Sequence, residues 1–377
     1  MAYEDTVKAA AFLGTDGGIC FATEGFDKAL KRVGENTGNT LFQRALWDLV
    51  RIPKLSVSPG ADSREFLRNN CSHLIIPAAN QINPNFNMEY WTNFIEDVDL
   101  PCIVMGLGAQ SDQVDATAED FPFTESVIKF AKCLSRRTAT IGVRGKYTQD
   151  VLSQIGVTNT TVIGCPSQTL NNSISGESIA KQLRNLVDGR AVSVAILGGT
   201  LQEYARDVEK SIFDLFFFDK KSLLVLQTEK RIMNFVYSGK LDANAREFMN
   251  WHRSVVVPSL GLDEYFHFMA LRGRVYSDAR SWVDGMRKVD LAIGMRIHGA
   301  MAAIQAGRLG ICVAFDSRTH ELAQTMAIPY ITAQNMKNCR SIQDVVCATV
   351  FSADEFDTRR AENIKRIDEI LFDLNKL

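Results

Sequence analysis

Short apolar runs alternate with longer amphipathic stretches along most of the chain. In the first half, the apolar runs are residues 74–77, 102–106, 139–143 and 161–163. In the second half, they are residues 191–197, 222–226, 254–257, 274–276, 291–293, 311–314 and 330–331. Short strands that alternate with helices are typical of a parallel sheet with crossover connections. The pattern therefore predicts an α/β fold with two successive sheets.

A polar stretch at residues 171–178 separates the two sets of strands and serves as the predicted linker. A chain of 377 residues also exceeds the usual size of one core. We therefore predict two Rossmann-like domains that face each other across a cleft, at residues 1–172 and 180–350. Residues 353–377 carry apolar positions at helical spacing and predict a last helix that packs back on the first domain.

Residues 290–307 form the most informative segment, because an apolar strand runs there directly into a helix of small residues. Arg296 and His298 stand at the joint. Ligands of parallel sheets bind at the carboxyl ends of strands, near helix N-termini that favour anions. A guanidinium binds carboxylate or phosphate in a fixed geometry, and histidine exchanges protons near neutral pH. Both residues are therefore catalytic candidates; the alternative is a salt-bridged arginine and a histidine that caps the helix.

The composition argues against several classes of protein. A formal net charge of −2 provides no basic excess for binding nucleic acid. Eight cysteines are spread singly, without a Cys-x-x-Cys pair, which argues against a metal site or a disulfide framework and favours the reducing cytoplasm. The N-terminal residues lack the pattern of a signal peptide, and no window reaches the roughly 18 apolar residues of a membrane span.

Other polar residues and glycines follow predicted strands and are candidates for binding an anionic donor. Arg144 ends a strand of the first half, where it can face the cleft or form an ordinary ion pair with Asp150 or a neighbour. Backbone amides at a glycine pair can approach a phosphate closely, although a simple tight turn is the alternative. The predicted donor-binding residues are Arg318, Arg144, Gly198, Gly199, Gly294, Asp278 and Glu321.

Two loops of the first half are candidates for the acceptor side. Asn80 and Asn83 follow one strand, and Gly108 and Gln110 follow the next. Amide side chains pair donors and acceptors with sugar hydroxyls, and neighbouring aromatic rings pack on sugar faces. Asparagines that form turns are the alternative.

Several segments resemble the polysaccharide pyruvyl transferase family. The Arg-x-His pair at residues 296–298 is similar to the family's signature, and the similarity continues in residues 36–41, 141–152, 162–167, 276–286 and 310–322. The resemblance implies a glycosyltransferase-B-like architecture and a cation at Arg318. It also implies transfer of the enolpyruvyl group of phosphoenolpyruvate to a sugar, most often as a cyclic ketal. The chain departs from the family at Leu197 and Gly198, where an Arg often ends the strand, and at Gly294 and Met295, where a Ser commonly precedes the Arg.

We therefore predict a transferase of cell-surface polysaccharide biosynthesis, with phosphoenolpyruvate as co-substrate and no other cofactor. Arg296 and Arg318 would hold the donor's carboxylate and phosphate, while His298 protonates the enol carbon or assists the leaving group. The predicted partner is a saccharide, or a lipid-linked saccharide that would bring the enzyme to the inner face of the membrane. The alternatives are a nucleotide-sugar-dependent glycosyltransferase of the same architecture and a non-catalytic saccharide-binding protein.

Overall fold

The computed structural model describes residues 8–60, 63–111, 116–186, 192–199, 203–218 and 221–376. Leu377, at the end of the predicted last helix, lies outside these residues. Within them, the strands form two six-stranded sheets, and helices pack against both. Every pair of neighbouring strands is parallel.

The first sheet uses strands from the N-terminal part of the chain. They are β1 (Ala9–Leu13), β2 (Lys54–Val57), β3 (Cys71–Pro77), β4 (Cys102–Leu107), β5 (Ile141–Val143) and β6 (Thr160–Val162). Their spatial order is β2-β1-β3-β4-β5-β6. The order reverses between β1 and β3, so the chain leaves a crevice there at the carboxyl ends of the strands.

The second sheet has the strand order of the Rossmann fold. Its strands are β7 (Val194–Leu197), β8 (Leu223–Leu226), β9 (Gly273–Val275), β10 (Leu291–Gly294), β11 (Leu309–Ala314) and β12 (Tyr330–Thr332). The order β12-β11-β10-β7-β8-β9 reverses between β7 and β10. The two parallel sheets confirm the predicted α/β fold with two Rossmann-like halves.

Helices connect the strands throughout. Before β7 they are α1 (Phe21–Glu24), α2 (Phe26–Arg32), α3 (Asn39–Leu49), α4 (Arg64–Asn70), α5 (Glu89–Val98), α6 (Glu125–Arg137), α7 (Lys146–Gln154) and α8 (Gly176–Asn185). After β7 they are α9 (Arg206–Phe216), α10 (Lys230–Ser238), α11 (Ala243–Val256), α12 (Leu262–Arg272), α13 (Ala279–Met286), α14 (Ile297–Gln305), α15 (Ser317–Thr325), α16 (Ala333–Asn338), α17 (Ile342–Ala348) and α18 (Ala353–Leu371).

The predicted strand at residues 254–257 is wrong, because these residues end the helix α11. Asp242 caps the helix by accepting a hydrogen bond from the amide of Ala245 at 2.7 Å. The buried residues of α11 then recur at helical spacing, and they are Ala245, Met249, His252 and Val256. The apolar run near Val256 is therefore one edge of an amphipathic helix rather than a strand.

The last helix, α18, returns to the first sheet. Ile367 and Leu371 share a core cluster with Ala10 and Phe12 of β1. The helix ends at Leu371, earlier than predicted, and a short 3₁₀ turn follows at Leu374–Lys376. None of the helices in the described ranges is long and apolar enough to cross a membrane.

The carboxyl ends of the two sheets face each other. Thr148, in the helix that follows β5, donates two hydrogen bonds to Glu321 of the second half. Cys165, beyond β6, lies next to His298 at the start of α14. Residues that follow strands in one half therefore meet residues that follow strands in the other.

Candidate functional site

His298 lies at the joint between β10 and α14, where the two halves touch. Its side chain is 5% exposed, and its ring packs on Phe42 of α3 with the centroids 5.4 Å apart. Nε2 lies 3.6 Å from Sγ of Cys165. Burial, together with the positive charges of Arg144 and Arg318, lowers the pKa of His298 well below its usual value. The imidazole is therefore neutral at pH 7 in this arrangement.

Arg144 follows β5 directly and is only 1% exposed. Its Nε donates to the carbonyl oxygen of Gly106 at 2.9 Å. Neither Nη1 nor Nη2 has a hydrogen-bond partner among the described residues. The anticipated alternative of an ion pair with Asp150 is not observed, since Asp150 pairs with Lys146. A buried guanidinium with open donors is costly to keep out of water, so Arg144 remains a candidate for binding an anion.

Arg318, in the first turn of α15, brings a second guanidinium toward His298. Its Nη2 lies 3.5 Å from Oδ2 of Asp316. Oδ1 of Asp316 caps α15 by accepting from the amide of Thr319 at 2.8 Å. The cap holds the carboxylate in place, and the carboxylate in turn positions the guanidinium. Because Arg144 and Arg318 both act on the pKa of His298, the three side chains form one electrostatic unit.

Glu321 joins the two halves, and its carboxyl group also interacts with the charge of Arg144. Its Oε1 accepts from the amide of Thr148 at 2.7 Å, and its Oε2 accepts from the Thr148 hydroxyl at 2.9 Å. These bonds cap the N-terminus of α7 with a side chain from α15. Burial raises the pKa of Glu321 to about 7 despite these bonds, so the carboxyl group is partly protonated at neutral pH.

Arg296 points to a different place from Arg144 and Arg318. Its Nη2 donates to the carbonyl oxygen of Gly199 at 2.9 Å and to the hydroxyl of Thr228 at 2.7 Å. The amide of Gly199 is bonded to Glu209 at 2.9 Å, and the amide of Gly198 is bonded within the sheet. The predicted use of these two amides for a phosphate therefore competes with bonds that already exist.

Arg296 lines a cavity of about 420 Å³ at the reversal of strand order in the second sheet. We call it the second-sheet cavity; its other lining residues include Gly198, Gly199, Glu209, Gln227, Thr228, Glu229, Arg231, Phe248 and His252. Nε2 of His252 lies 3.6 Å from Oε1 of Glu209, and Nδ1 of His252 forms a hydrogen bond of 2.6 Å with the hydroxyl of Tyr265. The sequence did not predict that Glu209, His252 and Tyr265 lie together. These residues are on three separate helices, α9, α11 and α12, and follow no local pattern.

Asp278 caps a helix, and Gly294 pairs with a neighbouring strand. Oδ1 of Asp278 caps α13 by accepting from the amide of Ser281 at 2.8 Å, and Asp278 also forms a backbone bridge with Gly18. Gly294 ends β10 and pairs with Leu197 of β7. The structure therefore places both residues near the facing edges without bringing either into contact with the imidazole.

The four predicted acceptor residues bond to each other or pack against the core. Nδ2 of Asn80 donates to the side chain of Gln110. Asn83 is 6% exposed and accepts from the amide of Asn85. Gly108 lies against Arg144, since a Cβ atom at residue 108 would be 2.8 Å from Cδ of the arginine. The absence of a side chain at Gly108 thus provides the space that Arg144 occupies.

A larger cavity, of about 680 Å³, lies at the carboxyl ends of β1, β2 and β3. We call it the first-sheet cavity; the lining residues used below are Lys28, Lys31, Asn39, Phe42, Gln43, Gln81 and Trp91. Lys28 and Lys31 form no ion pair with other described residues. Phe42 lines the cavity and also packs on His298, so one helix, α3, contacts both places. Among the residues described, no three His, Cys, Asp or Glu side chains are grouped to hold a metal ion.

The protein is thus a two-halved α/β protein in which two guanidiniums lie near a buried histidine where the halves meet. A family model for polysaccharide pyruvyl transferase matches residues 22–317. The chain therefore belongs to the polysaccharide pyruvyl transferase family and is a transferase, as the resemblance predicted. No match was found among the curated proteins.

Solved structures of low sequence identity superpose on most of the chain. S. aureus MnaA in complex with UDP is 10% identical, with a TM-score of 0.47 over 99% of this chain and 98% of its own. Anabaena Alr3699/HepE in complex with UDP-glucose is 10% identical, with a TM-score of 0.44 over 98% and 97%. A glycosyltransferase from Rickettsia africae ESF-5 is 9% identical, with a TM-score of 0.40 over 98% and 99%. Likeness at this level does not bear on the ligand of the present chain.

Proposed function

We propose that this protein transfers the pyruvyl unit of phosphoenolpyruvate to a saccharide. The observation that supports the proposal most is Arg144, a buried guanidinium whose Nη1 and Nη2 have no partner among the described residues. Arg318 supplies a second guanidinium near the same imidazole. Phosphoenolpyruvate carries a carboxylate and a phosphate on the same carbon, C2, so each anionic group can pair with one guanidinium.

The donor would also change the state of His298. An anion between Arg144 and Arg318 offsets the positive charge that lowers the pKa of His298 in the ligand-free protein. The pKa therefore rises when the donor binds, and the imidazole can carry the proton that it delivers to C3 of the enol. An acceptor hydroxyl then attacks the electron-poor C2. In this scheme Arg144 takes the role that the sequence suggested for Arg296.

The saccharide acceptor is proposed to bind in the first-sheet cavity. Trp91 offers an aromatic face for a sugar ring. Gln43 and Gln81 are held by hydrogen bonds to Thr15 and to the amide of Ala79, so they present fixed amide groups to sugar hydroxyls. Phe42 connects this cavity to His298, which would place an acceptor hydroxyl near the donor.

The second-sheet cavity favours a second candidate, a transferase that uses a nucleotide sugar. It lies where the strand order of a Rossmann-type sheet reverses, the usual position of a nucleotide in such sheets. Glu209 can accept hydrogen bonds from ribose hydroxyls, and Arg231 and Arg296 can meet phosphates. Arg231 is already bonded to Glu229, however, and Arg296 to Gly199 and Thr228, whereas Nη1 and Nη2 of Arg144 have no partner among the described residues.

A thermal-shift panel separates the two candidates, because a ligand that binds the folded state raises the melting temperature. The panel contains phosphoenolpyruvate, inorganic phosphate, pyruvate and several nucleotide sugars. We expect phosphoenolpyruvate to stabilise the protein more than phosphate or pyruvate, since both anionic groups are needed. Stabilisation by a nucleotide sugar, with none by phosphoenolpyruvate, would contradict the proposal and support the second candidate. Thr228→Val then tests the second-sheet cavity, and Arg184→Met, at an exposed surface pair, is the control.

A further inference from the structure

Cys165 is a buried thiol that the scheme above leaves unused. It follows β6 and is 1% exposed. Its Sγ lies 3.6 Å from Nε2 of His298 and accepts a hydrogen bond from the hydroxyl of Ser167 at 3.1 Å. An imidazole at this distance can take the thiol proton, and a hydroxyl that donates to sulfur stabilises negative charge on it. Cys165 is part of the buried core, and these two contacts also give its sulfur a base and a hydrogen-bond donor.

A second observation indicates that an anionic ligand reaches this thiol. Arg144 is buried, and its Nη1 and Nη2 have no hydrogen-bond partner within the described ranges. The guanidinium is close enough to Cys165 for the two groups to interact electrostatically. An anion paired with Arg144 would therefore lie near Sγ, which is also 3.6 Å from Nε2 of His298.

We propose that Cys165 is a covalent catalyst, whose Sγ adds to C2 of phosphoenolpyruvate. This inference rests on the proposed donor. The thiol proton passes to Nε2 of His298, the Sγ–C2 bond forms, and the π electrons of the double bond take the proton from the imidazole at C3. The product is a thioether at C2 that keeps its carboxylate and its phosphate. Arg144 and Arg318 pair with these two groups throughout.

The acceptor then removes the pyruvyl unit in two displacements. The first hydroxyl attacks C2, the bond between C2 and the phosphate oxygen breaks, and phosphate leaves with the electron pair and the hydroxyl proton. The second hydroxyl attacks C2, the C2–Sγ bond breaks, and the thiolate takes the second proton. The products are a ketal and inorganic phosphate, the thiol is regenerated, and no oxidation or reduction occurs.

The addition step can be tested without knowing the acceptor. In the adduct, C3 is a methyl group, so reversal of the addition exchanges the vinyl hydrogens of phosphoenolpyruvate with solvent. We expect the wild-type protein to exchange these hydrogens in D₂O, followed as loss of the vinyl signals by ¹H NMR. Cys165→Ala and Cys165→Ser should slow the exchange by on the order of 100-fold or more. Cys339→Ala, at a buried thiol bonded to the carbonyl of Asn335, should exchange at the wild-type rate.

Thermal shifts on the same samples distinguish failure of this inference from failure of the proposed function. Phosphoenolpyruvate that stabilises the wild type without exchange overturns the covalent step and leaves the proposed donor intact. Exchange at the wild-type rate in Cys165→Ala also overturns it. Phosphoenolpyruvate that neither binds nor exchanges overturns both. If the alanine variant does not fold, acid-quenched wild type decides: a mass increase of one phosphoenolpyruvate on the peptide of Cys165 supports the step, and its absence contradicts it.

Discussion

The joint between β5 and α7 and the joint between β10 and α14 have the same local design and different surroundings. Each places an arginine between a buried strand and a helix, Arg144 in the first half and Arg296 in the second. Arg296 is bonded to the backbone of Gly199 and to Thr228. Nη1 and Nη2 of Arg144 have no partner among the residues the structure describes. Position in the chain thus identifies an arginine at the end of a strand, and its tertiary partners decide whether its donors are already bonded or open to a ligand.

His298, in the first turn of α14, gives the largest expected effect, because it is the proposed proton donor. We expect His298→Gln to lower kcat by on the order of 100-fold or more, since an amide cannot deliver a proton. The variant should still bind the donor. Single-turnover rates and melting temperatures on the same preparation test this, with His267→Gln, at an exposed histidine, as the control. A destabilised variant that remains fully active would show that His298 only packs between Phe42 and Cys165.

Arg318→Ala tests the second guanidinium of the proposed donor site, which Arg318 forms together with Arg144. We expect the KM for the donor to rise by about tenfold or more, which corresponds to the loss of one charge-assisted pair. The KM for the acceptor should change little, because Arg318 does not line the first-sheet cavity. Steady-state kinetics with each substrate varied in turn measure both constants. A change confined to the KM for the acceptor would show that Arg318 does not bind the donor and would contradict the proposed donor site.

Glu321→Gln tests the contact between α15 and α7, which joins the two halves. Burial raises the pKa of Glu321 from 4.5 to about 7, so the folded state keeps a proton that the unfolded chain releases. Its contribution to stability is therefore full below pH 4.5 and is lost as the pH rises through about 7. We expect the variant to be more stable than the wild type at pH 8 by about 1 kcal/mol or more, and to show little difference at pH 5.

The pH dependence of Glu321 is opposed by that of His298. The lowered pKa of His298 removes stability as the pH falls below its usual value of 6.5, so variant and wild type must be compared at each pH. Thermal unfolding at pH 5 and pH 8 provides the comparison. A variant less stable than the wild type at pH 8 would show that the charged carboxylate is needed at the interface.

Arg296→Lys gives the smallest expected effect. The substitution replaces the guanidinium, which donates hydrogen bonds to Gly199 and Thr228, with an ammonium group. The ammonium group can keep one of these two hydrogen bonds. We expect the KM for the donor to change by less than about tenfold, which is less than for Arg318→Ala. Kinetics of the two variants under the same conditions measure the difference. A rise in the KM for the donor larger than that of Arg318→Ala would show that Arg296 contributes more to donor binding than Arg318 does.

The sequence predicted most of the second sheet and less of the first. The strands of the second sheet are short apolar runs with clear breaks, and six of the seven predicted runs overlap β7 to β12. The strands β1 and β2 were not predicted. β1 has the sequence Ala-Ala-Ala-Phe-Leu, in which alanine favours no strand, and β2 is an exposed edge strand with Lys54 at its start. Their place in the sheet comes from pairing with distant strands, which no local pattern contains.

In the candidate site, too, the contacts between distant segments could not be predicted from local sequence. Arg144, His298 and Arg318 were predicted because each lies close to the end of a predicted strand, and the structure brings them together. Trp91 and Lys28 were not predicted to line a cavity, because they lie on helices whose orientation depends on the whole first sheet. The partners of Asn80 and Gly108 could not be inferred for the same reason. Local sequence thus indicated the functional edge, and packing determined which side chains are open to a ligand.

The most direct test of the account is a calorimetric titration of phosphoenolpyruvate into the wild type and Arg144→Met. We expect the variant to lose at least about 100-fold in donor affinity, since a buried pair with an anion is removed. Its melting temperature without ligand should be unchanged or higher, because methionine fills the space without an unpartnered charge. Wild-type affinity in Arg144→Met, or a ligand-free variant that is strongly destabilised, would contradict the claim that Arg144 is the anion site of the donor.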